Sequence, residues 1–240
     1  AFFTALSVFL GAGAMRRGQS PAWWLGCGLA AGLGFMTKGP AALAIPLGTL
    51  ALAAFLTPSA RRGGSRLRAL WALPVFAAVA APWYAWILFS DTVAAAGGQA
   101  VHKEIGALMG DTAHPGPVVF YLYVLPLMLM PWGLMLFPAV PMLVRHARRR
   151  EGVRLLAIWF AVALVSLSAV SSKQMHYATL LLVPASLAAG CFLVAGLRPF
   201  RTWRTRLVRG YAGALAGLAA AAGLALAVAP WIRPEFPRIP

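Results

Sequence analysis

Acidic side chains are nearly missing from this chain: 5 Asp and Glu stand against 21 Lys and Arg in 240 residues. Only 11% of the residues are charged, and 61% are hydrophobic. Helices this poor in charge have no water-facing side, which excludes an ordinary soluble domain and puts most apolar surface against lipid or other apolar helices. The scarcity of acids also leaves few candidates for a general base. Cysteine is as sparse. Cys27 and Cys191 both fall in apolar runs, outside any metal-type spacing, and read as small buried side chains rather than a disulfide. Neither HExxH nor CxxC occurs, so no metal motif stands out. The opening AFFTALSVFL has no Met and no basic segment, which excludes a signal peptide and leads us to expect a piece of a longer protein.

What is present is a series of long apolar runs. A membrane-crossing helix needs about 20 mostly apolar residues, fewer where a bundle shelters its ends. Eight runs qualify: Ala1 to Ala14, Ala22 to Met36, Pro40 to Leu56, Ala69 to Phe89, Pro117 to Val144, Leu155 to Val170, Tyr177 to Leu197 and Leu207 to Ile232. The expected fold is an all-α polytopic bundle of about eight transmembrane helices, one transmembrane domain over residues 1–240. The fifth run carries Pro126, Pro131, Pro138 and Pro141 and is expected to break. The loop from 90 to 116 mixes apolar and polar residues, and Thr92 to Met109 suits a helix lying along the membrane surface. Gly28 with Gly32, and Gly213 with Gly217, have the spacing of close helix packing.

Charge gives the orientation. Alternate loops carry sixteen arginines: 16 and 17; 61, 62, 66 and 68; 145, 148, 149, 150 and 154; and 198, 201, 204, 206 and 209. The other loops and the C-terminal tail carry Lys38, Lys103, Lys173, Arg233 and Arg238. The arginine-rich side is therefore expected to be cytoplasmic. Clusters this short between apolar runs suit topology and anionic membrane lipids, not nucleic acid. Every lysine falls on the opposite side, with His102, His114, His176 and four of the five acids. Lysines kept where positive charge is disfavoured point to a site on that face.

Two boundaries are candidates. Thr37-Lys38-Gly39-Pro40 puts a lysine between two short helices, beside the N-terminus of the second, where a phosphate or carboxylate would be welcome; the same lysine could equally be an anchor at a helix end. Ser171-Ser172-Lys173-Gln174-Met175-His176-Tyr177 offers a cation, an imidazole, a phenol and two hydroxyls in one turn. In the loop from 90 to 116, His102 and Glu104 could hold a divalent metal ion with a further ligand. Pro82-Trp83-Tyr84 and Pro131-Trp132 read as interfacial aromatics.

In order along the chain, GLGFMTKGPAAL, APWYAWIL, VHKEIG, PGPVVFYLYVLPLMLMPWGLMLFP and SSKQMHYATLLLVPA resemble bacterial C-type integral-membrane glycosyltransferases. These are the relatives of 4-amino-4-deoxy-L-arabinose lipid A transferase and protein O-mannosyltransferases. The resemblance runs from about Gly32 to about Leu193. It implies an inner-membrane enzyme with a periplasmic active face, moving a sugar from a polyprenyl-phosphate donor to lipid A, protein or glycan. It further implies that Lys38 binds the donor phosphate, with Lys173, Tyr177 and His176 beside it. The family's outer loop often reads HEHLxR; here Glu104 stands at the metal-binding histidine and Ala107 at the arginine. The family's acidic catalytic pair has no counterpart before Lys38, so the catalytic acids are expected upstream of this piece, with Asp91, Glu104 and Asp111 the acids at hand. A transporter or flippase for a lipid-linked or anionic solute is the competing expectation; against it, no charge falls at mid-membrane.

Overall fold

The computed structural model describes residues 1–17, 20–57, 68–89, 116–170, 173–197 and 203–232. Among them the secondary structure is helical throughout: α1 (Phe2–Arg17), α2 (Pro21–Lys38), α3 (Pro40–Leu56), α4 (Ala72–Phe89), α5 (Phe120–Met128), α6 (Leu136–Ala147), α7 (Glu151–Ala169), α8 (Ala178–Gly196) and α9 (Trp203–Ile232). Short 3₁₀ turns precede α4, α6 and α8, at Ala69–Trp71, Trp132–Met135 and Met175–Tyr177. The fifth apolar run is thus broken into α5 and α6, as its prolines require. Helices α2, α7 and α9 start before the apolar runs do, because Ser20 caps α2 ahead of Pro21 and arginine is a good helix former. Among the described residues, four helical stretches can cross a membrane by length and composition: Ala69–Trp86, Glu151–Ala169, Met175–Gly196 and Trp203–Val228; α1 and α3 are shorter apolar helices. The segment expected to lie along the membrane surface, Thr92 to Met109, is outside the described residues.

The chain forms two compact units, Ala1–Ala189 and Gly190–Pro240. In the first, α1, α2 and α3 pack on one another, α4 packs on α2, and α7 packs on α3, α5 and α6. Close approach explains the α2–α4 pair: a Cβ on Gly28 would lie 2.2 Å from the carbonyl oxygen of Ala72. Gly32 meets Val79 on the same face. Among the described residues nothing lies within 4 Å of where a Cβ on Gly213 or Gly217 would be.

The core of the first unit joins Ala14 and Met15 of α1, Trp24 and Cys27 of α2, Leu50 and Ala53 of α3, and Ile158 of α7. Two polar groups are satisfied across helices. The Ser7 hydroxyl donates to the Cys27 carbonyl at 3.3 Å, and the Cys27 thiol donates to the Ser7 carbonyl at 3.4 Å. Such bonds inside a membrane bundle are worth about 0.6 kcal/mol each, so they set register more than stability. Cys191, expected to be buried, is exposed instead. It precedes the fully buried Phe192, and one residue rotates a helix by about 100°.

Both ends of the first unit are recognisable. At one, Arg154 donates to the carbonyls of Ala147 at 2.9 Å, Arg148 at 3.0 Å and Leu56 at 3.1 Å, and Arg16 reaches Gly152. The last carbonyls of α3 and α6 are therefore closed by one guanidinium. At the other end lie the α2–α3 break and the turn at 173–177. Within this unit, loops assigned to one side by arginine content do meet. In the second unit the Phe192 and Trp203 rings pack at 6.0 Å.

Candidate functional site

The site grows from a break in the chain. Helix α2 ends because Gly39 adopts φ 63° and ψ −152°, a conformation a side chain resists, and Pro40 then starts α3 with its fixed φ and no N–H to satisfy. The Gly39 N–H closes α2 by bonding to the Phe35 carbonyl at 2.8 Å. Lys38 is left in the last turn of α2, where the helix dipole favours a cation. The backbone of α3 contributes less than the sequence suggests, since the Ala42 N–H is already bonded to the Gly39 carbonyl at 3.1 Å.

From this position Lys38 spans 138 residues of chain. Its ammonium donates to the His176 carbonyl at 3.3 Å and lies 5.5 Å from the centre of the Tyr177 ring. Among the described residues that carbonyl is its one hydrogen-bond acceptor, so a three-donor ammonium keeps capacity for an anion. The Tyr177 ring leans on His176, centroids 4.3 Å apart, and His176 is exposed. The His176 carbonyl also accepts from the Thr179 hydroxyl at 2.7 Å. One turn before Lys38 on α2, Phe35 packs on Phe76 and on Tyr84. Of the expected interfacial aromatics, Trp83 and Trp132 are exposed, whereas Tyr84 packs on Phe35.

Lys173 sits in the same turn but points elsewhere. It is 7% exposed and donates to three carbonyls near the C-terminus of α7: Leu167 at 3.3 Å, Ser168 at 2.5 Å and Val170 at 2.5 Å. Burial holds its ammonium below the usual lysine range. Beneath it is Tyr121, 1% exposed, whose ring centre is 5.8 Å from the Lys173 Nζ and whose hydroxyl donates to the Gln174 carbonyl at 3.4 Å. Sequence reasoning passed over Tyr121. The available signal was a phenol inside an apolar run, which must find a partner when buried.

The structure thus brings Lys38, His176 and Tyr177 together and gives Lys173 to a helix end. His102 and Glu104 are outside the described residues, as are Ser171, Ser172, Asp91 and Asp111. Among the described residues no group of three or more His, Cys, Asp or Glu could hold a metal ion.

Apolar helical passages with a lysine and aromatics exposed at one end define a multi-pass membrane protein, which in bacteria resides in the inner membrane. A family model, dolichyl-phosphate-mannose-protein mannosyltransferase, matches residues 1–86, which include Lys38. An undecaprenyl phosphate-alpha-4-amino-4-deoxy-L-arabinose arabinosyl transferase of Pseudomonas aeruginosa (strain UCBPP-PA14) is 33% identical, over 81% of this chain and 34% of its own length. A protein of that description from Sodalis glossinidius (strain morsitans) is 31% identical, over 93% of this chain and 41% of its own. The crystal structure of ArnT from Cupriavidus metallidurans bound to undecaprenyl phosphate shares the fold, with a TM-score of 0.66 and 21% identity over 95% of this chain and 40% of that one. Across most of its length the chain is thus similar to the C-type integral-membrane glycosyltransferases. It spans about a third of the length of the curated relatives it matches.

Proposed function

We propose that this chain forms part of a glycosyltransferase that moves a sugar from a polyprenyl-phosphate carrier to an acceptor, with lipid A the leading candidate, on the periplasmic face of the inner membrane. The observation that carries this reading is Lys38, projected from a glycine break onto the Tyr177 ring and the His176 carbonyl. An ammonium at the end of apolar helices suits a phosphate whose tail is hydrocarbon. The relatives' names concern undecaprenyl phosphate carrying an amino sugar, which has that make-up.

In the reaction an acceptor oxygen attacks the anomeric carbon, the bond from that carbon to the phosphate oxygen breaks, and polyprenyl phosphate leaves. The departing phosphate gains negative charge, so a fixed cation acts more on the transition state than on the bound donor. Lys38 supplies that charge, and Tyr177 and His176 border it. The candidates for the base that deprotonates the acceptor are Asp91, Glu104 and Asp111, with acids upstream of this sequence as the other source. A divalent metal held with His102 and Glu104 is a further proposal; chelation of the full-length enzyme tests it, and unchanged transfer after chelation would exclude it.

The direct experiment supplies the full-length gene product, in lipid, with a radiolabelled polyprenyl-phosphate sugar and lipid A, protein and glycan acceptors in turn. Transfer by the parent that collapses in Lys38→Ala is the expected result. No transfer from any donor, with lipid or solute flux in proteoliposomes instead, would replace the transferase with a carrier.

A further inference from the structure

Lysine in an outer turn of a phosphate-handling protein invites assignment as a second phosphate ligand. The geometry gives Lys173 another task. An ammonium has three N–H donors, and Lys173 spends them on three carbonyls at the end of α7, those of Leu167 and Ser168 in the helix and of Val170 just past it. Its stem is enclosed as well: a Cβ on Gly116 would come within 2.6 Å of the Lys173 Cγ, so nothing larger than glycine fits there. The Tyr121 ring faces the ammonium, and its hydroxyl holds the next peptide through the Gln174 carbonyl. Gln174 in turn accepts the Tyr177 N–H at 3.2 Å. A continuous set of bonds therefore runs from the end of α7, through Lys173 and Gln174, to the residue whose ring meets Lys38.

From this we infer that Lys173 and Tyr121 are positioning residues: together they hold the 174–177 turn in the shape that presents Tyr177 and the His176 carbonyl to Lys38, and Lys173 does not itself touch the donor phosphate. The inference rests on the phosphate role proposed for Lys38. A ligand acts through its charge; a helix cap acts through its N–H donors, which a neutral amide also supplies.

That difference makes the test. The full-length gene product in lipid would be titrated with polyprenyl phosphate, comparing the parent with Lys38→Ala, Lys173→Gln, Lys173→Met and Tyr121→Phe. Glutamine keeps N–H donors for the α7 carbonyls and drops the charge, whereas methionine keeps the stem alone. We expect Lys173→Gln to bind within about 3-fold of the parent, and Lys173→Met and Tyr121→Phe to lose roughly 10-fold and 3-fold, the scale of one or two hydrogen bonds. Lys173→Gln and Lys173→Met equally weak while both remain folded would make Lys173 a charge-bearing ligand and overturn the inference. So would Lys173→Met or Tyr121→Phe binding as the parent does. Should Lys173→Met fail to fold, Lys173→Gln and Tyr121→Phe decide it: the expected losses support it, and a glutamine variant as weak as Lys38→Ala overturns it. A parent that does not bind polyprenyl phosphate, or a Lys38→Ala variant that binds as well as the parent, sinks the phosphate role of Lys38 instead.

Discussion

Lys38 and Lys173 approach the turn at 173–177 from different directions. Lys38 comes from the end of α2, crosses to a carbonyl far along the chain, and stays half-exposed over an aromatic ring. Lys173 folds back onto the helix that precedes it and is buried among three carbonyls. Arg154, at the other end of the same unit, behaves like Lys173 and closes the carbonyls of α3 and α6. A cation at a helix end is ordinarily spent on that end. Lys38 instead reaches the His176 carbonyl, 138 residues away, while the Gly39 N–H takes the Phe35 carbonyl at the end of α2. The lesson is that the carbonyls packing brings within reach of each ammonium decide which lysine is left to bind something else.

Four measurements would break or sharpen this contrast. The largest effect is expected for Lys38→Ala, with sugar transfer falling by about 100-fold or more, as when one charge-stabilising donor is removed from a transition state. A loss below 10-fold would make Lys38 an anchor. Next is Gly39→Ala, which forces a side chain into a backbone region that costs about 1–3 kcal/mol. It should lower the melting temperature and reduce transfer together, since Lys38 is aimed by that residue; intact activity would show that the break does not aim it. Arg154→Ala should cost about 1–2 kcal/mol in carbonyl bonds and leave polyprenyl-phosphate affinity unchanged. A change in affinity would mean that the two ends are coupled. The smallest effect concerns pH. Burial lowers the Lys173 pKa in the folded chain, so between that value and the ordinary one of about 10.4 the unfolded chain binds more protons. Stability from this group should therefore rise with pH across that window. Compared by thermal melts, the parent should gain on Lys173→Gln as the medium approaches pH 10.4; a parent that loses ground would put the shift in the opposite direction.

Much of the fold was legible because lipid imposes simple rules on sequence. Apolar runs gave the passages, the Pro40 to Leu56 helix matches its run end for end, and the prolines of the fifth run break it where α5 meets α6. Local chemistry also marked the Thr37 to Pro40 break and the turn before α8 as places where polar groups gather. What the sequence by itself determined, then, was the set of apolar helices and the presence of two lysines at helix ends. Only the tertiary structure decided what each lysine does. The Lys38 partner lies 138 residues away and the Tyr121 hydroxyl finds its acceptor 53 residues on, distances at which no periodicity carries information. The physical reason is saturation: an ammonium has three donors, and whether it is free to bind depends on which carbonyls packing has brought within 3 Å or so.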